Sequence, residues 1–169
     1  TPHVYSEDME AFYSATDAFV YELIVSHMRP ACHEIDRRVL EAVHQITSDG
    51  LLLCLGDGIG TDSVRFATLG FPVTYFEFEG YSSALATHRF KRSNLESSIR
   101  SIHHLSDIPE GAYDTVLCRE VLEHVPDPSE VIGDIWTYLQ PGGVAIITES
   151  FSRVEEQFPT HLESNKQYA

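Results

Sequence analysis

Apolar residues follow two rhythms along this chain, and the change between them falls near residue 50. Before it, they recur every three or four positions, the spacing of a helix buried along one side. Phe12, Ala15, Phe19, Val20, Leu23, Ile24 and His27 share one face of a helix predicted over residues 6–28, with Pro30 as its stop. Ile35, Val39, Leu40, Val43 and Ile46 share one face of a second helix over 33–46. Beyond residue 50, short apolar runs stand at 51–55, 73–78, 99–103, 115–118 and 144–148. Helical stretches at 61–69, 82–97 and 129–139 separate them, with Gly70 placed to cap the first. Strands without a polar face, alternating with helices, indicate a parallel sheet covered on both sides. The predicted fold class is α/β, doubly wound and mostly parallel, with residues 1–48 as two N-terminal helices and 49–169 as the sheet domain.

The first strand runs into Gly56-Asp57-Gly58-Ile59-Gly60, and a helical pattern opens at Thr61. A strand, a glycine turn and a helix N-terminus form the crevice in which Rossmann-like sheets bind nucleotides. The dinucleotide fingerprint G-x-G-x-x-G would need its third glycine at position 61, which is Thr61. Glu77, at the end of the second strand and about 20 residues past the glycines, is placed to accept both hydroxyls of a ribose.

G-x-G-x-G resembles motif I of the class I S-adenosylmethionine-dependent methyltransferases. Further on come Tyr113-Asp114, the run Leu122-Glu123-His124-Val125-Pro126-Asp127-Pro128, and Leu139-Gln140-Pro141-Gly142-Gly143 leading into the last strand. Together these resemble the central part of the ubiquinone-biosynthesis-type small-molecule methyltransferases, over roughly residues 51–149. The resemblance implies S-adenosyl-L-methionine as cofactor and a small-molecule methyl acceptor. It implies cofactor contacts at Leu55, Gly56, Asp57, Gly58, Gly60, Asp62, Glu77, Phe78 and Arg119. It also implies an acid or His against the adenine amino group, either His104 or Asp107. Where the family has an acid two residues before the first glycine, this chain has Cys54, so Asp57 or Asp62 is expected to meet the cofactor's ammonium group. Glu120 and His124 are the catalytic candidates. Glu120 would orient an acceptor hydroxyl or the ammonium; His124 is either a general base titrating near neutrality or a residue holding the Pro126 loop. The N-terminal helix, with Tyr5, Phe12 and Tyr13, is expected to close over the acceptor side.

Charge narrows the partners. With 26 acidic against 11 basic residues, the net charge of −15 repels a phosphate backbone, which argues against nucleic acid. Arg89, Lys91, Arg92 and Arg100 form one basic patch, read as a solvated helix face. No apolar run approaches the roughly 20 residues that span a bilayer. Cys32, Cys54 and Cys118 form no framework, which fits a reducing, cytoplasmic setting. No metal is expected, because His103, His104 and His124 lack ligand spacing. The start lacks Met and reads as a trimmed end, and the antiparallel hairpin that closes the family's sheet has no counterpart before the polar end at Ala169. Two alternatives remain open: a catalytically impaired cofactor-binding or scaffold domain, suggested by Cys54, and a nicotinamide-dependent oxidoreductase, disfavoured by Thr61 and the PGG turn.

Overall fold

The structure, a computed structural model, describes residues 2–6 and 16–169. Phe12, Ala15 and Tyr13 of the predicted first helix lie outside the described residues. Its described part is α1, Ala18–His27. That helix stops three residues short of Pro30, which itself opens the next one. It occupies the first turn of α2, Pro30–Ile46, where its missing N–H and fixed φ cost nothing.

Five strands then alternate with helices: β1 (Leu52–Leu55), α3 (Thr61–Thr68), β2 (Val73–Phe76), α4 (Tyr81–Arg92), β3 (Ile99–Ile102), β4 (Tyr113–Arg119), α5 (Pro128–Tyr138) and β5 (Leu139–Thr148). They form one sheet in the order β3-β2-β1-β4-β5, with every pairing parallel. Successive residues of β1 enter opposite layers, as the period of two requires. Leu52 and Cys54 join Val39, Val43, Phe66, Tyr75 and Phe90 on one side. Leu53 and Leu55 join Phe76, Tyr113, Val116, Ile135 and Tyr138 on the other. Each such side chain, fully buried, contributes about 1.5–3 kcal/mol. This is why the strands read as unbroken apolar runs.

The order of strands reverses beside β1: β2 lies on one side and β4 on the other. The carboxyl ends of these three strands therefore border the crevice expected to bind ligands. The PGG turn differs from its prediction. Strand β5 already begins at Leu139, and Pro141-Gly142-Gly143 forms an irregular bulge inside it, between the Tyr113/Leu139 and Thr115/Val144 pairs. The segment after β5 is more than a polar end. Phe151, Phe158, Thr160, His161, Leu162 and Asn165 are buried, and the Leu162 N–H donates to Glu123 O.

Candidate active site

The turn after β1 is held by groups from three directions. Gly58 adopts φ +48°, a left-handed conformation that favours glycine. Its N–H donates to Glu77 Oε2 at 2.9 Å, and its carbonyl accepts the buried Tyr75 hydroxyl at 2.6 Å. The Arg89 guanidinium bonds Ile59 O and lies 3.1 Å from Thr61 Oγ1. Arg89 thus departs from the solvated face predicted for it and braces the turn instead. Glu77 also accepts from the Phe78 N–H at 2.9 Å. Burial raises the Glu77 carboxyl, with the Gly58 and Phe78 amides opposing that shift. The carboxylate lies against the glycine turn.

The space over the turn is occupied by α1. A Cβ on Gly58 would come within 2.8 Å of Leu23 Cδ1. The same helix puts Phe19 6.5 Å, ring to ring, from His124. At its other end it puts His27 within the fields of Asp62, Asp36 and Arg119, where burial lowers the imidazole pKa. Helix α1 therefore crosses the whole crevice.

The two acids considered for the ammonium group have different fates. Asp57 turns inward, and its carboxylate accepts the N–H groups of Asp62 (3.1 Å) and Ser63 (2.8 Å), capping α3. Burial, then the neighbouring Asp62, pushes its pKa up to about 7. It is therefore a poor standing anion. Asp62 is fully paired. Arg119 Nη1 reaches both of its oxygens at 2.8 Å, and Arg65 Nη1 reaches Oδ1 at 2.7 Å. The same two arginines both bond Asp36 on α2, Arg119 at 2.9 Å. Asp36, Arg65, Asp62 and Arg119 form a closed ring that links α2, α3 and the end of β4. Burial alone would raise the Asp36 pKa, but hydrogen bonds from Arg119 and Arg65 outweigh it and hold the carboxyl below its ordinary value. Arg119, expected to touch the cofactor, has its Nη atoms engaged in this ring. Its buried Nε has no partner among the described residues.

Sequence reasoning missed Asp36 and Arg65. The available signal was Asp36 itself, an acid on the buried face of α2 with Val39 and Val43. The thiol of Cys54 is fully buried; burial, then Asp57 and Asp62, raises its pKa far above the ordinary thiol range. It is an inert core group.

The catalytic candidates stand together at the start of the segment after β4. Glu120 has φ +52°, a strained conformation for a non-glycine residue, and its carboxylate accepts the Ser150 hydroxyl. The same Ser150 Oγ lies 3.1 Å from Glu123 Oε1, which donates to its lone pairs when Glu123 is protonated. Glu123 is 1% exposed, and burial pushes its pKa up to about 8. His124 donates from Nδ1 to Thr160 O at 3.2 Å, and its ring meets His161 edge-on at 4.7 Å. Burial, then His161, moves its pKa down to about 4. The titration expected near neutrality is therefore displaced well below it, and the Nδ1 contact goes to Thr160 of the segment after β5 rather than to the Pro126 loop. One further grouping was invisible in the sequence: Glu123, His124 and His161 bring ligand-type atoms within 4.8 Å of one another, and Glu123 Oε2 and His161 Nδ1 are unpartnered among the described residues. His161 is 37 residues from His124, too far for any spacing rule. On the opposite flank, His104, Asp107 and Phe78 are all exposed beyond β2 and β3, and His103 Nδ1 donates to Glu77 O at 2.8 Å.

A family model described as a methyltransferase domain matches residues 25–167. The chain belongs to this methyltransferase family. A ubiquinone biosynthesis O-methyltransferase of Psychrobacter arcticus is 33% identical over 118 residues, covering 64% of this chain and 46% of that protein. The chain thus spans just under half the length of that relative. Among solved structures, the geranyl diphosphate C-methyltransferase of Streptomyces coelicolor A3(2), in complex with Mg2+, geranyl diphosphate and S-adenosyl-L-homocysteine, gives a TM-score of 0.58 at 18% identity, over 66% of this chain and 43% of that one. The [4+2]-cyclase SpnF gives 0.59 at 24% identity, over 66% and 44%. The Rossmann-like methyltransferase fold is therefore shared, while a cyclase on the same fold shows that chemistry is set by the site. Membership of this family also removes the nicotinamide oxidoreductase reading. No helix among the described residues is long and apolar enough to cross a membrane.

Proposed function

We propose that this chain transfers a methyl group from S-adenosyl-L-methionine to a small-molecule acceptor. The observation that carries the proposal is the joint hold of Tyr75 and Glu77 on Gly58, at the switch point of an all-parallel sheet. When bound, the cofactor supplies an electrophilic sulfonium methyl group; the protein binds, aligns and excludes water. Glu77 fits the ribose, because each of its oxygens accepts one amide and a carboxylate has about four acceptor sites. His104, Asp107 and Phe78 lie on the open flank beyond β2 and β3, where an adenine extending past the ribose would meet them. Helix α1, lying over the turn through Leu23, excludes water from the crevice. On the acceptor side stand Glu120 and His124, with Glu120 the candidate to orient a hydroxyl. Alignment can lower a barrier by roughly 7–11 kcal/mol at best, so no neutral-pH base is required. The strongly acidic composition supports a small acceptor over nucleic acid, and three free cysteines fit a reducing, cytoplasmic setting.

Calorimetric titration with S-adenosylhomocysteine and with NAD tests the cofactor. Binding of the first and not the second is expected. Glu77→Gln keeps the size but weakens acceptance from the ribose hydroxyls. Loss of charge-assisted bonds worth about 1.5–3 kcal/mol corresponds to roughly a ten- to hundredfold fall in affinity. An unchanged affinity removes Glu77 from the site, and NAD binding overturns the assignment.

A further inference from the structure

The segment after β5 sends its backbone groups two ways over residues 159–163, even-numbered residues to one side and odd-numbered to the other. On one side, Thr160 O accepts from His124 Nδ1 at 3.2 Å, and the Leu162 N–H donates to Glu123 O at 2.9 Å. On the other side, Pro159 O, His161 O and the Glu163 N–H all meet a single residue, His3. The His3 N–H donates to Pro159 O at 2.9 Å, and its carbonyl accepts from the Glu163 N–H at 3.0 Å. Its Nδ1 donates to His161 O at 2.9 Å. His3 has φ +66°, a left-handed conformation that a non-glycine residue keeps only where its surroundings impose it. These bonds impose it. The strip 159–163 is thus the middle layer of three, between His3 and the loop that carries the catalytic candidates.

The bond to Thr160 decides the chemistry of His124. A carbonyl oxygen only accepts, so Nδ1 carries the proton, and the neutral ring then offers Nε2 as an acceptor nitrogen. A ring released from Thr160 would exchange its two N–H forms and present a donor or an acceptor by turns. The edge-on contact with His161, 4.7 Å between ring centroids, also limits how the His124 ring turns. His161 belongs to the same strip, and its own carbonyl is one that His3 holds. Glu123 is tied to the strip through its main chain, by Leu162. Asn165 fixes the flanks of the loop at Leu122 O and Val125 O, and His3 bears on the part between them.

We propose that His3 is a positioning residue for the acceptor side: by holding the far face of the strip 159–163, it keeps Thr160 on His124 and so fixes the Nδ1–H form of that ring. His3 acts through the strip, on which nitrogen of His124 faces a ligand as an acceptor. The consequence for catalysis rests on the acceptor-side reading of His124 given above.

Nitrogen-15 spectra of the imidazole rings, taken at about pH 7.5, above the ordinary imidazole pKa, report which nitrogen carries the proton. The His124 signals are those lost in His124→Gln. Wild type should show His124 in the Nδ1–H form alone. His3→Ala should convert it to a mixture in which the Nε2–H form is prominent, with affinity for S-adenosylhomocysteine within twofold of wild type. His3→Asn should keep the wild-type spectrum, because its amide nitrogen takes the place of Nδ1 and asparagine tolerates positive φ. Should His3→Ala fail to fold by circular dichroism, Glu163→Pro carries the same expectation. It deletes the N–H that His3 O accepts, at the first position of a 3-10 helix, and Leu162 before it already has the extended backbone, φ −84° and ψ 130°, that precedes proline. An Nδ1–H ring in the folded alanine or proline variant overturns the proposal. So does a mixed ring in wild type, or an asparagine variant that behaves like His3→Ala. A fall in S-adenosylhomocysteine affinity beyond twofold makes His3 a general brace and overturns it as well. Wild type with the Nδ1–H ring but no affinity for S-adenosylhomocysteine defeats the cofactor assignment, while the three spectra still decide the role of His3.

Discussion

Single side chains in this site behave against their usual habits, and burial is the common cause. Glu123 is expected to be an anion at neutral pH, yet burial, helped by the charge of Glu120 and opposed by Ser150, favours the protonated form, with a pKa of about 8 against 4.5 when free. Between those values the folded protein holds a proton that the unfolded chain has released, so stability falls as pH rises. His124 acts in the opposite sense. Its pKa of about 4 against 6.5 means that the unfolded chain binds the extra proton between these values, and stability falls as pH drops. These two slopes offset each other from about pH 4.5 to 6.5, while Asp57, pushed up to about 7, adds its own decline below that value; from pH 7 to 8 the decline belongs to Glu123. Urea midpoints at pH 7 and 8 should reveal that decline in wild type, and Glu123→Gln should flatten it. A wild-type midpoint constant over this range argues against a protonated Glu123. The same placement makes His124 unsuited to titrate as a base near neutrality, so a rate profile should lack a His124-dependent limb at pH 6.5.

Among the elements, α1 and the final segment are held by different means. Helix α1 has no buried residue, and Tyr21, Val25 and Met28 are largely exposed. With so little area removed from water, it should open at far lower free energy than the sheet. Hydrogen exchange is expected to show α1 amides exchanging well ahead of those in β1 and β4. Leu23→Ala should speed association of S-adenosylhomocysteine, because that side chain lies over Gly58. The same association rate in both proteins would leave α1 without a gating role. The final segment is pinned by Asn165, 1% exposed, whose amide donates to Leu122 O at 3.1 Å and Val125 O at 2.9 Å. Asn165→Ala strands two carbonyls and should cost about 1–3 kcal/mol in chemical denaturation. Little of this clasp was legible in advance, since its partners are some forty residues apart. By contrast, the glycine turn and the β-α alternation were readable because each is written within a few consecutive residues. Pro30 shows the limit of that local reading: proline stops one helix and starts another with equal ease, and only the surrounding backbone decides. The ionic ring lay beyond it altogether, its members drawn from residues 36, 62, 65 and 119.

At the scale of the molecule, the sheet explains why so many functional candidates meet. Five parallel strands place all their carboxyl ends on one side, so Gly56, Glu77, His103 and Arg119 arrive there from distant parts of the chain. That arrangement has a cost in time. Strand β1 sits at the centre of the sheet, and its partner β4 lies roughly sixty residues further along the chain. At about 5–20 residues per second of synthesis, β4 emerges some 3–13 s after β1. Throughout that interval Leu51-Leu52-Leu53-Cys54-Leu55 has at most one neighbour to pair with. A ribosome making this protein therefore presents a sticky, unpaired segment to the cell for seconds, and its yield depends on whatever shields nascent chains during that wait.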